Sequence, residues 1–375
     1  MSTLNRRQWL HRVGWGSALS LIGSNIGLRA NASMIATPQA ASLTGSPAPL
    51  CFNENPFGPS QQVRQAITSA YDDCCRYPFQ FIKPLVQMIA DREGVTSDQV
   101  VITGGSTEGL KMTGLVYGME RGEVVAPDPT FQALLSYAES MGSYIHRVQL
   151  DADLNHDLEA MEARITGATR LIFVCNPNNP TGVMIDRKTL RDFTLAVDNR
   201  AVVFIDEAYI DYVTDPQHKS AVELVKEGHN VIVSRTFSKV YGLAGLRIGY
   251  LIARPDIAKR LLQYQMVSVS VPAIRAAQVA LNETDFYADS LRRNLEAKNY
   301  VYKLFKTLDL QYVPSHTNFV FFKTGRDISE LNQQMLAEGV RVGRPFPPLT
   351  DWCRVSTGRM EDMKLFAKAL RKVLG

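Results

Sequence analysis

The sequence predicts an α/β fold: a large domain on a mostly parallel sheet of roughly seven strands, helices on both faces, then a smaller α+β domain. Three observations carry this expectation. Short β-branched apolar runs alternate with stretches of helical period, the polar clusters richest in chemistry follow those runs directly, and from about Pro272 the alternation stops. With 375 residues and 45% hydrophobic content, the chain is long enough for a large core and more than one domain.

Taken in order, residues 1–32 form a leader with a basic start at Arg6-Arg7, an apolar run from Val13 to Leu28, and Ala30-Asn31-Ala32. That succession describes a signal peptide. Asn5-Arg6-Arg7-Gln8-Trp9-Leu10 resembles the twin-arginine export signal, which implies recognition by that export machinery and a periplasmic destination. The run is short for a membrane span and interrupted by Gly14, Gly16, Gly23 and Gly27, so no stable membrane anchor is expected. Residues 33–49, rich in Ala, Ser, Thr and Pro, read as a flexible linker, and folded structure is expected from near Leu50.

The expected strands are Val100–Thr103, Glu123–Ala126, Tyr144–Leu150, Leu171–Cys175, Val202–Ile205, Val231–Ser234 and Ile248–Ile252. Helical patterns at Ser106–Gly118, Thr130–Met141, Arg187–Val197 and Lys219–Glu227 separate them. Beyond Pro272 come a helical stretch through Leu308, short strands at Phe319–Phe322, Val340–Gly343 and Arg354–Ser356, and a helix from Met360.

Charge and cysteine usage narrow the function class. The leader holds Arg6, Arg7, Arg12 and Arg29 and no acid, so removing it from a total of 41 bases leaves 37 against 37 acids. A chain so balanced carries no electrostatic footprint for nucleic acid, and small-molecule chemistry is expected. Cys51, Cys74, Cys75, Cys175 and Cys353 show no CxxC spacing and suggest neither a disulfide scaffold nor a zinc site. The histidines include no HxxH or HxxxH pair and no GxSxG turn occurs, so no metal is expected and a metal or serine hydrolase is disfavoured.

In open α/β sheets ligands bind beyond the carboxyl ends of the strands. Gly104-Gly105-Ser106-Thr107 precedes a helix, where exposed amides and the positive end of the dipole suit a phosphate; the same turn also serves as a plain helix cap. It is not GxGxxG, which counts against a nicotinamide enzyme. Asp206 ends the apolar run Val202–Ile205, where a carboxylate needs a cationic partner such as a pyridinium nitrogen, or else caps a short helix. Lys239 follows Thr236-Phe237-Ser238; in a partly apolar pocket its amine suits Schiff-base chemistry, and on the surface it is an ordinary lysine.

Together these residues form a pattern. Asn178-Asn179-Pro180-Thr181-Gly182, Asp206-Glu207-Ala208-Tyr209, Ser238-Lys239 and Gly245-Leu246-Arg247 follow one another in the order seen in fold-type-I aminotransferases of class I/II. Asn53-Glu54-Asn55-Pro56-Phe57-Gly58-Pro59 and Arg76-Tyr77-Pro78 make the chain resemble most the histidinol-phosphate aminotransferase subgroup. The resemblance covers about residues 50 to 360. It implies pyridoxal 5'-phosphate held covalently by Lys239, which also moves the substrate proton, with Asp206 on the ring nitrogen, Asn179 and Tyr209 on the ring oxygen, and Phe131 on the ring face. It further implies a phosphate cradle of Gly105, Ser106, Thr107, Thr236, Ser238 and Arg247. Tyr77 would reach the neighbouring subunit's phosphate in a homodimer with shared sites.

For the substrate, the resemblance implies Arg354 on the carboxylate and Asn55 and Asn179 nearby. Arg341 and Arg344 either read a second anionic group or are plain strand arginines. The implied organisation is an N-terminal arm at 50–70, a large cofactor domain at 71–270 and a small domain at 271–375. The implied reaction moves an amino group from an amino acid or histidinol-phosphate-like donor to a 2-oxo acid. A related decarboxylase of the threonine-phosphate type and a catalytically silent binding protein share the fold. An export leader sits oddly with a biosynthetic enzyme and leaves the donor open.

Overall fold

The computed structural model describes residues 46–375 except 216, 218 and 219. The leader and most of the expected linker lie outside the described residues.

Among the described residues, twelve strands, with helices between them, form three sheets. The strands are β1 (Ala48–Pro49), β2 (Val100–Thr103), β3 (Glu123–Asp128), β4 (Tyr144–Gln149), β5 (Thr169–Cys175), β6 (Val202–Asp206), β7 (Val231–Thr236), β8 (Gly249–Ala253), β9 (Tyr312–Val313), β10 (Phe319–Lys323), β11 (Val340–Arg341) and β12 (Trp352–Ser356). The main sheet has seven strands in the order β2-β8-β7-β6-β5-β3-β4. Only β8 runs against its neighbours, β2 and β7, so the sheet is mostly parallel, as expected. All seven expected strands are present; most are buried on both faces and so apolar along their whole length, whereas the edge strand β4 is half exposed.

Each face of this sheet carries its own core. On one side Ile172, Val174, Val203, Ile205 and Val233 pack with Leu85, Ile89 and Ile274; on the other Leu171, Phe173, Phe204 and Ile232 pack with Leu110, Leu134 and Ala258. The alternation of neighbouring strand residues between the two lists is the period of two. A third core, with Val320, Phe322, Val355, Phe305 and Phe366, surrounds the small sheet β12-β10-β9.

Several local expectations need correction. Strand β1, two residues inside the expected linker, pairs in parallel with β11, and Leu50 N–H continues the ladder by donating to Arg341 O at 2.9 Å. The expected helical stretch from Pro272 is broken at Leu281–Glu283 into helices Val271–Ala280 and Thr284–Thr307. The first of these buries Ala273, Ile274 and Ala277 in a main-sheet core. Helices at Gln61–Ser69, Phe79–Glu93, Leu158–Ala163, Pro255–Leu262 and Ile328–Ala337 were not anticipated.

The N-terminal segment is seated against the loop after Lys239. A Cβ on Gly58 would meet the Gly242 Cα at 2.7 Å, so two bare backbones pass where no side chain fits.

Candidate active site

The parallel register brings the first set of functional residues together. Cys175 on β5 lies beside Asp206 on β6, which lies beside Ser234 on β7, so the loops leaving β5, β6 and β7 share one edge of the sheet. There, with the loop after β2, they wall a cavity of about 700 Å3. Its lining contains Ser106, Thr107, Phe131, Asn179, Asp206, Tyr209, Thr236, Ser238, Lys239, Arg247, Arg341, Arg344 and Arg354. Most residues singled out in the sequence therefore meet in one place.

The loop after β5 is fixed by its own side chains. Asn176 Oδ1 accepts from Ile185 N–H at 2.8 Å, and Asn178 receives the Thr130 hydroxyl at 2.8 Å while its amide donates to Pro129 O and Thr181 Oγ1 at 3.2 Å. Asn178 thus ties the Asn179 loop to the segment presenting Phe131. The chain direction after β6 sends Asp206 and Glu207 to opposite faces. Glu207 forms an ion pair with Arg235 at 2.9 Å and accepts from the Ser220 hydroxyl at 2.7 Å and Ala221 N–H at 2.7 Å. Asp206 is 2% exposed, and its Oδ1 has no hydrogen-bond partner among the described residues. Burial pushes its carboxyl up to about 7.

Lys239 Nζ donates to Asn53 O at 2.9 Å and Phe52 O at 3.4 Å and stands 5.4 Å from the centre of the Tyr209 ring. Burial first, then the neighbouring Arg354 charge, lowers its amine to about 8. Its surroundings therefore favour the neutral, nucleophilic amine. The Tyr209 hydroxyl accepts from Asn53 Nδ2 at 2.9 Å and, at 3.5 Å, from Asn179 Nδ2.

Both ends of the cavity carry a guanidinium without a carboxylate partner among the described residues. Arg247 reaches Ser238 Oγ at 3.3 Å, Ala244 O at 2.9 Å and Thr107 Oγ1 at 3.4 Å, and pairs with no carboxylate among the described residues. Gly105, with φ of +78°, carries no Cβ where one would meet the Arg247 guanidinium at 2.5 Å. It stands behind the cradle rather than in the lining. At the other end, Arg354 donates to Asn179 Oδ1 at 2.5 Å and Cys51 O at 2.7 Å, with its Nε unpartnered. It is 7% exposed, faces Phe346 and Phe319 at 5.0 and 5.4 Å, and likewise has no carboxylate among the described residues. Arg344 lies over Phe346 at 4.5 Å, and Arg341 is exposed at the rim.

Two expected site residues lie elsewhere. Asn55 does not line the cavity; its amide donates to Val240 O at 2.8 Å and Ser290 Oγ at 3.0 Å, and its Oδ1 accepts from Phe57 N–H at 3.1 Å, which makes it a brace for the arm. Tyr77 also lies outside the lining, 81% exposed and stacked on Phe79 at 5.8 Å. The cavity also has members the sequence reading missed: Cys51, Phe52, Asn53, Asn332 and Phe346. Asn53 stood in the quoted Asn-Glu-Asn motif, and its φ of +56° turns it inward where Asn55 turns out. All five cysteines are free thiols.

The chain is similar to known proteins in sequence and fold. The family model for aminotransferase class I and II matches residues 47–370. The chain is 40% identical to a histidinol-phosphate aminotransferase of Moorella thermoacetica over 87% of this chain and 85% of that one. It is 36% identical to histidinol-phosphate aminotransferase 1 of Dechloromonas aromatica, covering 87% and 89%. Among solved structures, the histidinol-phosphate aminotransferase of Sinorhizobium meliloti in complex with pyridoxal-5'-phosphate superimposes with a TM-score of 0.78 at 26% identity, over 88% of this chain and 91% of that one.

Proposed function

The chain belongs to the class I and II aminotransferase family, and from that premise we propose how its own residues carry the reaction. It is a pyridoxal-phosphate-dependent aminotransferase of the histidinol-phosphate aminotransferase type. The residues present fit the cofactor: a buried Asp206 oxygen and a guanidinium, without hydrogen-bond partner and counter-ion respectively among the described residues, share one cavity with an amine of lowered basicity. That conjunction carries the reading. When bound, the cofactor supplies an aldehyde that exchanges amines and a ring that accepts electrons from the substrate α-carbon.

Asp206 would hold the proton on the ring nitrogen, which also relieves its own desolvation. Lys239 would anchor the aldehyde carbon and, once displaced, take the proton from the substrate α-carbon. Asn179 and Tyr209 would hydrogen-bond the ring oxygen, and Phe131 would cover the ring. Gly105 would let the phosphate cradle of Ser106, Thr107, Thr236, Ser238 and Arg247 close tightly. Arg354 would take the carboxylate of an amino acid or the phosphate of a histidinol-phosphate-like donor, with Arg344 and Arg341 behind it for a second anionic group. A 2-oxo acid would receive the amino group.

We further propose a homodimer in which Tyr77 meets the neighbouring copy's phosphate site; the exposure of Tyr71, Tyr77 and Phe79 at 64, 81 and 67% supports it. The leader pattern supports export to the periplasm by the twin-arginine route, with changes of Arg6 and Arg7 to Lys expected to leave the protein in the cytoplasm on cell fractionation.

The test of function is spectroscopic. Loaded protein is given single amino acids and histidinol phosphate, and its visible spectrum and products are followed. Bleaching with formation of the matching oxo product is expected. Carbon dioxide release would instead indicate a decarboxylase, and an unchanged spectrum with every amine a binding protein.

A further inference from the structure

We propose that Ser356 and Asn53 form a hydrogen-bond relay that reserves the Tyr209 hydroxyl proton for the cofactor, and so set the pH at which the bound cofactor changes protonation. The inference rests on Tyr209 facing the ring oxygen.

The argument is a count of protons and lone pairs. A tyrosine hydroxyl has one proton to give and two lone pairs to receive with. Asn53 Nδ2 donates to it at 2.9 Å and Asn179 Nδ2 reaches it at 3.5 Å. Neither amide is free to turn round. Asn179 Oδ1 is taken by the Arg354 guanidinium at 2.5 Å, and Asn53 Oδ1 accepts the Ser356 hydroxyl at 2.8 Å. Ser356 Oγ is itself fixed, because Asn53 N–H donates to it at 2.9 Å and leaves its own proton for Asn53 Oδ1.

The polarity therefore runs one way, from Ser356 through Asn53 into Tyr209. With its lone pairs engaged, the Tyr209 proton finds no acceptor among the described residues, and Tyr209 and Asn53 both line the cavity. Ser356 and Asn53 are each 2% exposed, so water does not compete for these groups. Ser356 lies outside the lining and acts only through Asn53, which makes it a positioning residue.

Arg354 feeds the same hydroxyl through Asn179, and that arm changes when a substrate anion engages the guanidinium. The Ser356 arm contains no arginine that meets substrate, and Lys239 touches it only at the Asn53 peptide oxygen, away from the Asn53 amide that donates to Tyr209. It holds a constant donor on Tyr209 while the other arm varies.

The test is a pH titration of visible absorption, without substrate, on protein loaded with pyridoxal phosphate. A donated hydrogen bond stabilises the deprotonated ring oxygen, so losing it raises the midpoint. Tyr209→Phe is the control and should raise it. Ser356→Ala should raise it by about half a unit to one unit, Ser356→Thr should restore it, and Asn53→Asp, whose carboxylate draws the tyrosine proton away from the cavity, should raise it at least as far. Melting of each unloaded variant verifies folding, and if Asn53→Asp fails to fold the serine pair decides alone.

A shift in Tyr209→Phe with none in Ser356→Ala overturns the relay. Equal shifts in Ser356→Ala and Ser356→Thr also overturn it, since packing and not the hydroxyl would then be responsible. No shift in Tyr209→Phe overturns the placement of Tyr209 on which the relay rests.

Discussion

The two ends of the cavity are built by different means. At the cofactor end, Asp206, Thr236 and the Asn179 loop leave adjacent parallel strands whose register is fixed by continuous ladders, so their separation follows from the sheet itself. At the substrate end, Arg354 rests on Cys51 O, a partner 303 residues away in sequence, and Arg341 and Arg344 come from a two-residue strand and its following loop. The first arrangement suits a ligand that stays; the second suits one that enters and leaves. Binding that must be reversible is better assembled from edges than from the middle of a sheet.

If the cofactor end is the rigid half, its variants should abolish chemistry while leaving the fold intact. Lys239→Ala should lower turnover by about 10³-fold or more, and mass spectrometry after borohydride reduction should find no attached cofactor. Retained turnover would break the comparison at its root. Asp206→Asn should reduce turnover by about 10²-fold or more, because a neutral amide cannot stabilise a ring-nitrogen proton as a carboxylate does.

The same variant carries a pH signature. Asp206 is raised from 3.8 to about 7, so the folded protein binds more protons than the unfolded chain between those values. Stability conferred on the wild type therefore falls as pH rises through that window and stays low above it. The unloaded Asp206→Asn protein should melt higher than wild type at pH 8, by an amount that shrinks toward pH 5, and the cofactor should erase the difference.

The substrate end should give graded effects. Arg354→Gln is expected to raise KM for anionic donors by about 10- to 100-fold, with cofactor affinity measured by fluorescence nearly unchanged. Arg341→Gln, at the exposed rim, should change KM by about threefold or less, and only for substrates with a second anionic group.

The same contrast governs what could be read in the sequence. The inner strands of the main sheet were legible because burial on both faces forces an uninterrupted apolar run, as in Leu171–Cys175 and Val231–Val233, and the edge strand β4 because buried Ile145 and Val148 stand among exposed residues. Helix Phe79–Glu93 was hidden by Pro84 within it and by the Tyr-Pro that reads as a turn at its start. Strand β1 was hidden by its length and its proline. Within the site, residues that end strands were found from their position alone. Asn53 and Asn55 were confused because a motif gives spacing and not backbone handedness, and one positive φ sends the two side chains opposite ways. Ser356 left no signal, since nothing local ties a serine on β12 to an asparagine 303 residues earlier.

The segment from Cys51 to Asn53 meets Arg354 and Lys239 through peptide oxygens. These hydrogen bonds place no demand on the chemistry of the Cys51 or Phe52 side chain, although buried Cys51 is limited in size. Deleting one residue is another matter: the turn at Cys51, the bend at Phe52 and the positive φ of Asn53 aim these oxygens, and a missing residue would shift which peptide meets each cation. Spelling is tolerated here; counting is not.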